Sequence, residues 1–293
     1  PDTGDVKLST TGGKLAVQTG KSRFSLQTLA ATEFPTMTQP ERWDVSLTLP
    51  RKTLKHLFNM AHFAMAQQDI RYYLNGMLMV FEPGLLRAVA TDGHRLVRYR
   101  RTDLKTEGSS SLILPKKALS LLKSTLPTAD TQVTVEFSSS NAFFSFDSFQ
   151  LICRIIDERF PEYENAIPKE NNEIVTINRL EFLSSVKRIS IYSNKTTHQI
   201  RLKLTANKLT LSAEDLDYSN EANEALVCEY AGKDMEIGFN AKLISELLGN
   251  LSSKFVDIRL SEPNKAGLII PSDQDEHEDI LLLVMPVMLN SYN

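Results

Sequence analysis

The chain has 293 residues, 42% of them hydrophobic and 24% charged, with a formal charge of −3, the balance of an ordinary core-forming protein. No stretch approaches the roughly 20 apolar residues of a membrane span, so the sequence reads as a soluble, cytoplasmic protein. Its only cysteines, Cys153 and Cys228, lie far apart in strand-like runs, which favours core thiols over a disulfide framework or a zinc cluster.

The predicted elements recur along the chain. A strand-rich start closes at Phe34-Pro35, and LTLPRKTLKHLF from Leu47 then runs from a strand into a helix. Leu54, Leu57, Phe58, Ala61 and Met65 form its apolar stripe of about four turns, and Pro50 suits its first turn. Strands follow in RYYLNGMLMVF, LLRAVAT and HRLVRYR, with turn signals at Asn75-Gly76, Pro83-Gly84 and Asp92-Gly93. LILPKKALSLLK from Leu112 opens a second copy, continued by TQVTVEFS, NAFFSFDS and FQLICRII. VTINRLEFLSSV from Val175 opens a third, continued by IRLKLTA, KLTLSAE and EALVCEY. IGFNAKLISELL from Ile237 opens the fourth, continued by FVDIRLS, AGLIIP and ILLLVMPVML. Asn178 and Asn240 suit helix N-caps.

The openings Pro50, Pro115, Asn178 and Asn240 are 65, 63 and 62 residues apart, the regularity of an internal repeat. Phe34-Pro35, Phe160-Pro161 and Met285-Pro286 recur at 126 and 125 residues. The large unit is therefore an α+β domain of two half-units, each one helix plus several antiparallel strands. Stepping back one large unit from Pro50 puts a helix start before Pro1, so the chain is expected to be N-terminally incomplete.

Charge is segregated. The helical windows 51–66, 116–126, 179–192 and 241–251 hold ten Lys and Arg against Glu181 and Glu246, a net of +8, which leaves −11 for the rest of the chain. This predicts an electropositive helical surface on an acidic body, suited to a polyanion such as nucleic acid.

Catalytic signatures are weak. His56, His62, His94, His198 and His277 have no companions at metal-ligand spacing, so neither a metal nor a cofactor is expected. The Asp92/His94 pair could do acid–base chemistry or could simply be a tight turn between strands. An enzyme using that turn and a tandem-repeat protein-interaction scaffold are two alternative readings of the chain.

Six strings, in order and with compatible spacing, resemble the bacterial DNA polymerase III beta subunit, the sliding-clamp family: GKSRFSL (20–26), QDIRYYLNGML (68–78), VATDGHRL (89–96), RFPEY (159–163), MEIGFN (235–240) and VMP (284–286). The resemblance implies a DNA-clamp fold of tandem domains, with helices on the inner face of a ring and sheets outside. It implies an incomplete first domain at 1–44, a second at 45–172 and a third at 173–293. It further implies a homodimer that performs no reaction, holds duplex DNA without sequence preference and tethers the polymerase catalytic subunit, the clamp loader and other proteins carrying a clamp-binding peptide.

Site residues carry over by position. For the partner-peptide pocket the resemblance selects Arg71, Tyr73, Leu74, Thr91, Gly93, His94, Arg95 and Leu96 from the second domain, Pro161, Asn165 and Ala166 after it, and Val284, Met285, Pro286, Val287 and Met288 near the end. Leu74, Leu96, Ala166, Val284 and Met285 would form an apolar floor, with His94 and Arg95 as a polar rim. For DNA it selects Gln68, Tyr72 and Tyr73, beside the helix cations Arg51, Lys52, Lys55, Lys116, Lys117, Lys123, Arg179, Lys187, Arg188 and Lys242. For dimerisation it selects Lys21, Arg23, Phe24 and Leu26 on one edge, against Ile191, Tyr192, Glu221 and Glu224 of the other subunit. Asn165 stands where many relatives have Arg, Tyr192 where they more often have Leu, and Asn290 to Asn293 extend past the usual chain end.

Overall fold

The computed structural model describes residues 4–34, 40–104, 109–126 and 131–289; Pro35 and the extension from Asn290 to Asn293 lie outside them. The chain divides into two compact units, residues 1–41 and 42–293.

The smaller unit is an antiparallel sheet of β1 (Val6–Thr11), β2 (Lys14–Thr19) and β3 (Ser22–Gln27), in that order. The register sets Leu8 opposite Val17, Val17 opposite Phe24 and Leu15 opposite Leu26, so alternation gathers the apolar residues on one face. β3 is an edge strand, and Phe24 and Leu26 are each 54% exposed.

The larger unit repeats one pattern four times: a strand leads straight into a helix, and three strands follow. The first copy is β4 (Val45–Pro50), α1 (Arg51–His62), β5 (Gly76–Glu82), β6 (Leu85–Thr91) and β7 (Arg95–Arg101). The second is β8 (Ser110–Pro115), α2 (Lys116–Thr125), β9 (Gln132–Phe137), β10 (Asn141–Phe146) and β11 (Phe149–Arg154). The third is β12 (Glu173–Asn178), α3 (Arg179–Ser190), β13 (Gln199–Thr205), β14 (Lys208–Asp215) and β15 (Asn220–Val227). The fourth is β16 (Met235–Asn240), α4 (Ala241–Gly249), β17 (Phe255–Leu260), β18 (Gly267–Pro271) and β19 (Glu278–Val284).

Opening strands are exchanged between halves. β4 completes the sheet β11-β10-β9-β4, and β16 completes β15-β14-β13-β16. β8 and β12 do the same at the two ends of the eight-stranded sheet β12-β17-β18-β19-β7-β6-β5-β8. That sheet is continuous because β19 pairs antiparallel with β7, from Glu278 opposite Arg101 to Val284 opposite Arg95. The joint is also ionic. Arg98 and Arg100 reach Asp279 at 3.2 Å each, and Glu278 accepts from Tyr99 Oη at 2.6 Å and Arg101 Nη1 at 2.9 Å.

Helix starts follow local chemistry. The Asn178 side chain accepts from the N–H groups of Leu180 and Glu181, and Asn240 accepts from those of Lys242 and Leu243, satisfying donors that have no partner inside the helix. Pro50 differs from its expected place: it is the last residue of β4 and the N-cap position, with the helix beginning at Arg51. α1 also ends earlier than its stripe, at His62, and Met65 is buried beyond the helix. Asn75-Gly76 is not a hairpin turn. A 3-10 turn occupies Tyr72–Asn75, Gly76 is extended at φ −138°, and the Asn75 amide instead bonds the backbone of Asp69 in both directions.

Alternation splits the core in two. One cluster fills the space between helices and sheets, with Leu54, Leu57, Phe58, Phe81, Phe137 and Phe144 among its residues. The second lies on the other face of the eight-stranded sheet, where Leu78, Val89, Leu96, Leu281 and Leu283 are covered by Ile156, Phe160 and Tyr163. Among the described residues, no helix is long and apolar enough to cross a membrane.

Candidate functional site

The site is built around the turn from β6 to β7. Gly93 sits there at φ +90°, a left-handed conformation that glycine adopts without strain, and a Cβ at this position would lie 3.3 Å from both Nη atoms of Arg71. Asp92 Oδ1 accepts the N–H groups of His94 and Arg95, Thr91 Oγ1 accepts from Gly93 N at 3.0 Å, and Thr91 Oγ1 donates to the Arg95 carbonyl at 2.6 Å. The Asp92 carboxylate is thus engaged by its own turn, as the tight-turn reading expects.

Arg95 departs from the expected polar rim. It is 7% exposed; its Nε donates to Asp92 Oδ2 at 3.1 Å, Nη1 to Glu246 Oε2 at 2.5 Å, and Nη2 to the Phe63 carbonyl at 2.7 Å, with the guanidinium 5.3 Å from the Phe63 ring centroid. His94 remains exposed beside it. Across the joint, Val284 pairs with Arg95, and Met285 N donates to the His94 carbonyl at 2.8 Å. Thr91, His94, Arg95, Leu96, Val284 and Met285 therefore meet in one wall.

The apolar floor is more closed than expected. Leu74, Leu96 and Val284 are 2%, 4% and 1% exposed, because they belong to the cores beneath, whereas Met285 at 42% and Met288 at 72% present accessible apolar surface. Pro161, Asn165 and Ala166 lie exposed on or beside the 3-10 turn Tyr163–Ala166. Tyr73 sets its ring edge-on to Phe160 at 6.2 Å, which makes it half core and removes it from the freely stacking aromatics proposed for DNA. Gln68 and Tyr72 stay exposed. Arg71 holds the neighbouring loop: its guanidinium bonds both oxygens of Asp69, which keeps that carboxyl at about 2.

Two of the ten helix cations do not face solvent as expected. Arg51 is buried at 7% exposure, and Arg179 bonds the carbonyls of Ser253 and Leu248 at 2.7 and 3.1 Å, tying the start of α3 to the end of α4. Arg188 is exposed but forks onto Glu224 of its own chain at 3.0 and 2.5 Å, lowering the Glu224 pKa. Glu224 is accordingly not free to meet cations of another subunit while that bond stands. Lys52, Lys117, Lys187 and Lys242 are exposed, and Lys55, Lys116 and Lys123 are partly so.

This cationic surface perturbs a histidine. Burial, then Lys123 and Lys116, lower the His62 pKa from its ordinary 6.5. A group whose folded pKa is depressed supports the fold above its unfolded pKa and loses that support as pH falls through the folded value. His62→Gln is therefore expected to flatten the loss of stability as pH falls below the ordinary histidine value of 6.5, read as urea midpoints; an unchanged pH slope would count against it.

The residues selected for dimerisation are accessible, except that Glu224 is partly buried. β15 is the free edge of its sheet with Glu221 exposed, and Ile191 and Tyr192, just past α3, are 65% and 43% exposed.

Sequence reading missed three residues of the wall. Glu246 and Phe63 hold Arg95, and Gly238 in β16 receives the bond from Val287 N at 2.9 Å. Gly238 carried a signal as a glycine inside a strand where another backbone comes close, and Glu246 one as a rare acid among the helix cations, whereas Phe63 carried none.

Comparison with known proteins agrees with this architecture. The family model for the DNA polymerase III beta subunit central domain matches residues 48–162, and that for its C-terminal domain matches residues 164–287. The chain is 34% identical over 277 residues to a beta sliding clamp of Pseudomonas aeruginosa, covering 94% of this chain and 74% of that one. It is 33% identical over 291 residues to one of Escherichia coli, covering 99% and 78%. A crystal structure of a Pseudomonas aeruginosa DNA polymerase sliding clamp superposes with a TM-score of 0.89 at 33% identity, covering 97% of this chain and 76% of that one. Tandem α+β half-repeats, two adjoining family models and relatives that match nearly the whole chain show that it belongs to the DNA polymerase III beta subunit family, the beta sliding clamps, which are non-catalytic processivity subunits of that polymerase.

Proposed function

We propose that this chain acts in the cytoplasm as part of a homodimeric ring around duplex DNA and tethers the replicative polymerase, the clamp loader and other proteins through a peptide docked at the His94/Met285 wall. One observation carries the reading: the last strands of two half-units, β7 and β19, already join side by side, while β15 and β3, like β1 and β11, are outer strands of their sheets among the described residues. Pairing β15 of one copy with β3 of another repeats the same joint and closes both edges. Ile191, Tyr192 and Glu221 would then meet Phe24, Leu26, Lys21 and Arg23. In this reading the chain comprises clamp domains at 1–44, 45–172 and 173–293.

The DNA contact follows from charge. Lys52, Lys55, Lys116, Lys117, Lys123, Lys187 and Lys242, with Arg188 when released from Glu224, attract phosphates without reading bases, while Gln68 and Tyr72 reach the strands from their exposed loop. Contact of that kind is weak, salt-dependent and compatible with sliding. Retention therefore comes from ring closure and requires neither a cofactor nor a reaction.

The test is retention on nicked circular DNA after loading by a clamp loader. The protein should stay on circles in high salt and leave within minutes of linearisation; equal retention on both forms would refute encirclement.

A further inference from the structure

We propose that Glu246 is a positioning residue of the partner-peptide site, acting through Arg95 from a helix of the C-terminal half. The proposal deepens the peptide reading of the His94/Met285 wall and rests on it. Glu246 is one of only two acids in helical windows that otherwise carry ten cations, an anomaly if that surface serves phosphates alone. Its carboxylate is half exposed, yet it meets a guanidinium whose side chain is only 8% exposed.

The guanidinium joins three places in the chain through two carboxylates and one backbone carbonyl. Nε anchors Asp92 in the turn, Nη2 anchors Phe63 just past α1, and Nη1 anchors Glu246 on α4. Within the turn, the residue next to Arg95 is His94, whose carbonyl receives Met285 N. A displaced guanidinium thus loosens His94 and Met285 together. Without Glu246, Nη1 is a buried charged donor lacking its acceptor, and the side chain must shift toward water to recover one. The Asp92 bond would move with it. The loop after α1, which carries Gln68 and Tyr72, begins at the carbonyl held by Nη2, so the same side chain also anchors the start of that loop.

The experiment compares Glu246→Ala, Glu246→Gln and Met285→Ala in the full chain with the parent. Binding of a fluorescein-labelled peptide carrying the clamp-binding segment of a DNA polymerase III catalytic subunit is followed by anisotropy, and exchange of the Met285 amide by NMR. Glu246→Ala should weaken peptide binding about tenfold, the scale of one charge-assisted hydrogen bond. It should also speed Met285 amide exchange by about the same factor while leaving the Leu202 amide in β13 unchanged. Glu246→Gln, which keeps an acceptor oxygen, should recover part of both effects. Parental Met285 exchange in Glu246→Ala would overturn the positioning role. Parental peptide binding by Met285→Ala would instead overturn the peptide reading itself.

Discussion

Glu278→Ala is expected to lower the unfolding free energy of the larger unit by about 3–5 kcal/mol, the range for breaking a buried ion pair by removing one partner. The Glu278 side chain is 7% exposed and serves three groups at once: Tyr99 Oη, Arg101 Nη1 and, at 3.4 Å, His56 Nε2. Tyr99 is fully buried, and burial together with the Glu278 hydrogen bond drives its pKa well above the ordinary phenol value. Truncation leaves a phenol and a guanidinium without their acceptor inside the joint between β7 and β19. Asp103 retains part of Arg101 through bonds of 2.6 and 2.7 Å, so the larger share of the loss falls on Tyr99. The measurement is the urea midpoint at constant slope. A companion Tyr99→Phe substitution removes the orphaned hydroxyl and should restore part of the loss; if Glu278→Ala alone shifts the midpoint by less than about 1 kcal/mol, the joint does not depend on this carboxylate.

Gly238→Val is expected to detach residues 285–289 from β16 and to weaken partner-peptide binding by more than about tenfold, because the accessible apolar wall is built on that segment. A Cβ at Gly238 would run into the Val287 carbonyl oxygen and would stand 2.8 Å from Leu289 Cδ2. The first obstacle is backbone, which cannot swing aside as a side-chain tip can. The bridge between Gly238 and Val287 would break, and with it the support beneath Met285 and Met288. Stability should fall by about 1–3 kcal/mol, the usual cost of overpacking. Gly249→Ala is the matched control, since nothing lies within 4 Å of its added carbon. Parental peptide affinity in Gly238→Val would show that the segment contributes nothing to the site.

Much of this architecture was legible because it depends on local chemistry repeated at even spacing. Pro50, Pro115, Asn178 and Asn240 each mark a passage from strand to helix, and Leu54, Leu57, Phe58 and Ala61 are buried at the positions their period predicts. What could not be read was partnership at long range. Nothing local announces that β4 completes a sheet made by β9, β10 and β11, because strand pairing is decided by which edges meet in the finished core. Arg95 is the clearest case at the site. Beside His94 in an exposed-looking turn it reads as a rim residue, but its acceptors lie 32 and 151 positions away, at Phe63 and Glu246. Arg51 and Arg179 misled for the same reason, since a cation on a helix looks solvated until its neighbours are known. Asn75-Gly76 shows the opposite error, a strong hairpin signal outweighed by an Asn side chain that bonds Asp69.

The exchange of opening strands has a consequence for synthesis. Pro50 at the end of β4 lies opposite Gln132 at the start of β9, so the ribosome must add about 80 further residues before the partner exists. At 5–20 residues per second the nascent strand waits on the order of ten seconds, with Leu47 and Leu49 unsheltered. The same delay recurs between Glu173 and Leu260. A half-unit therefore cannot seal itself while it is being made, and the smallest piece able to leave the exit tunnel finished is the pair.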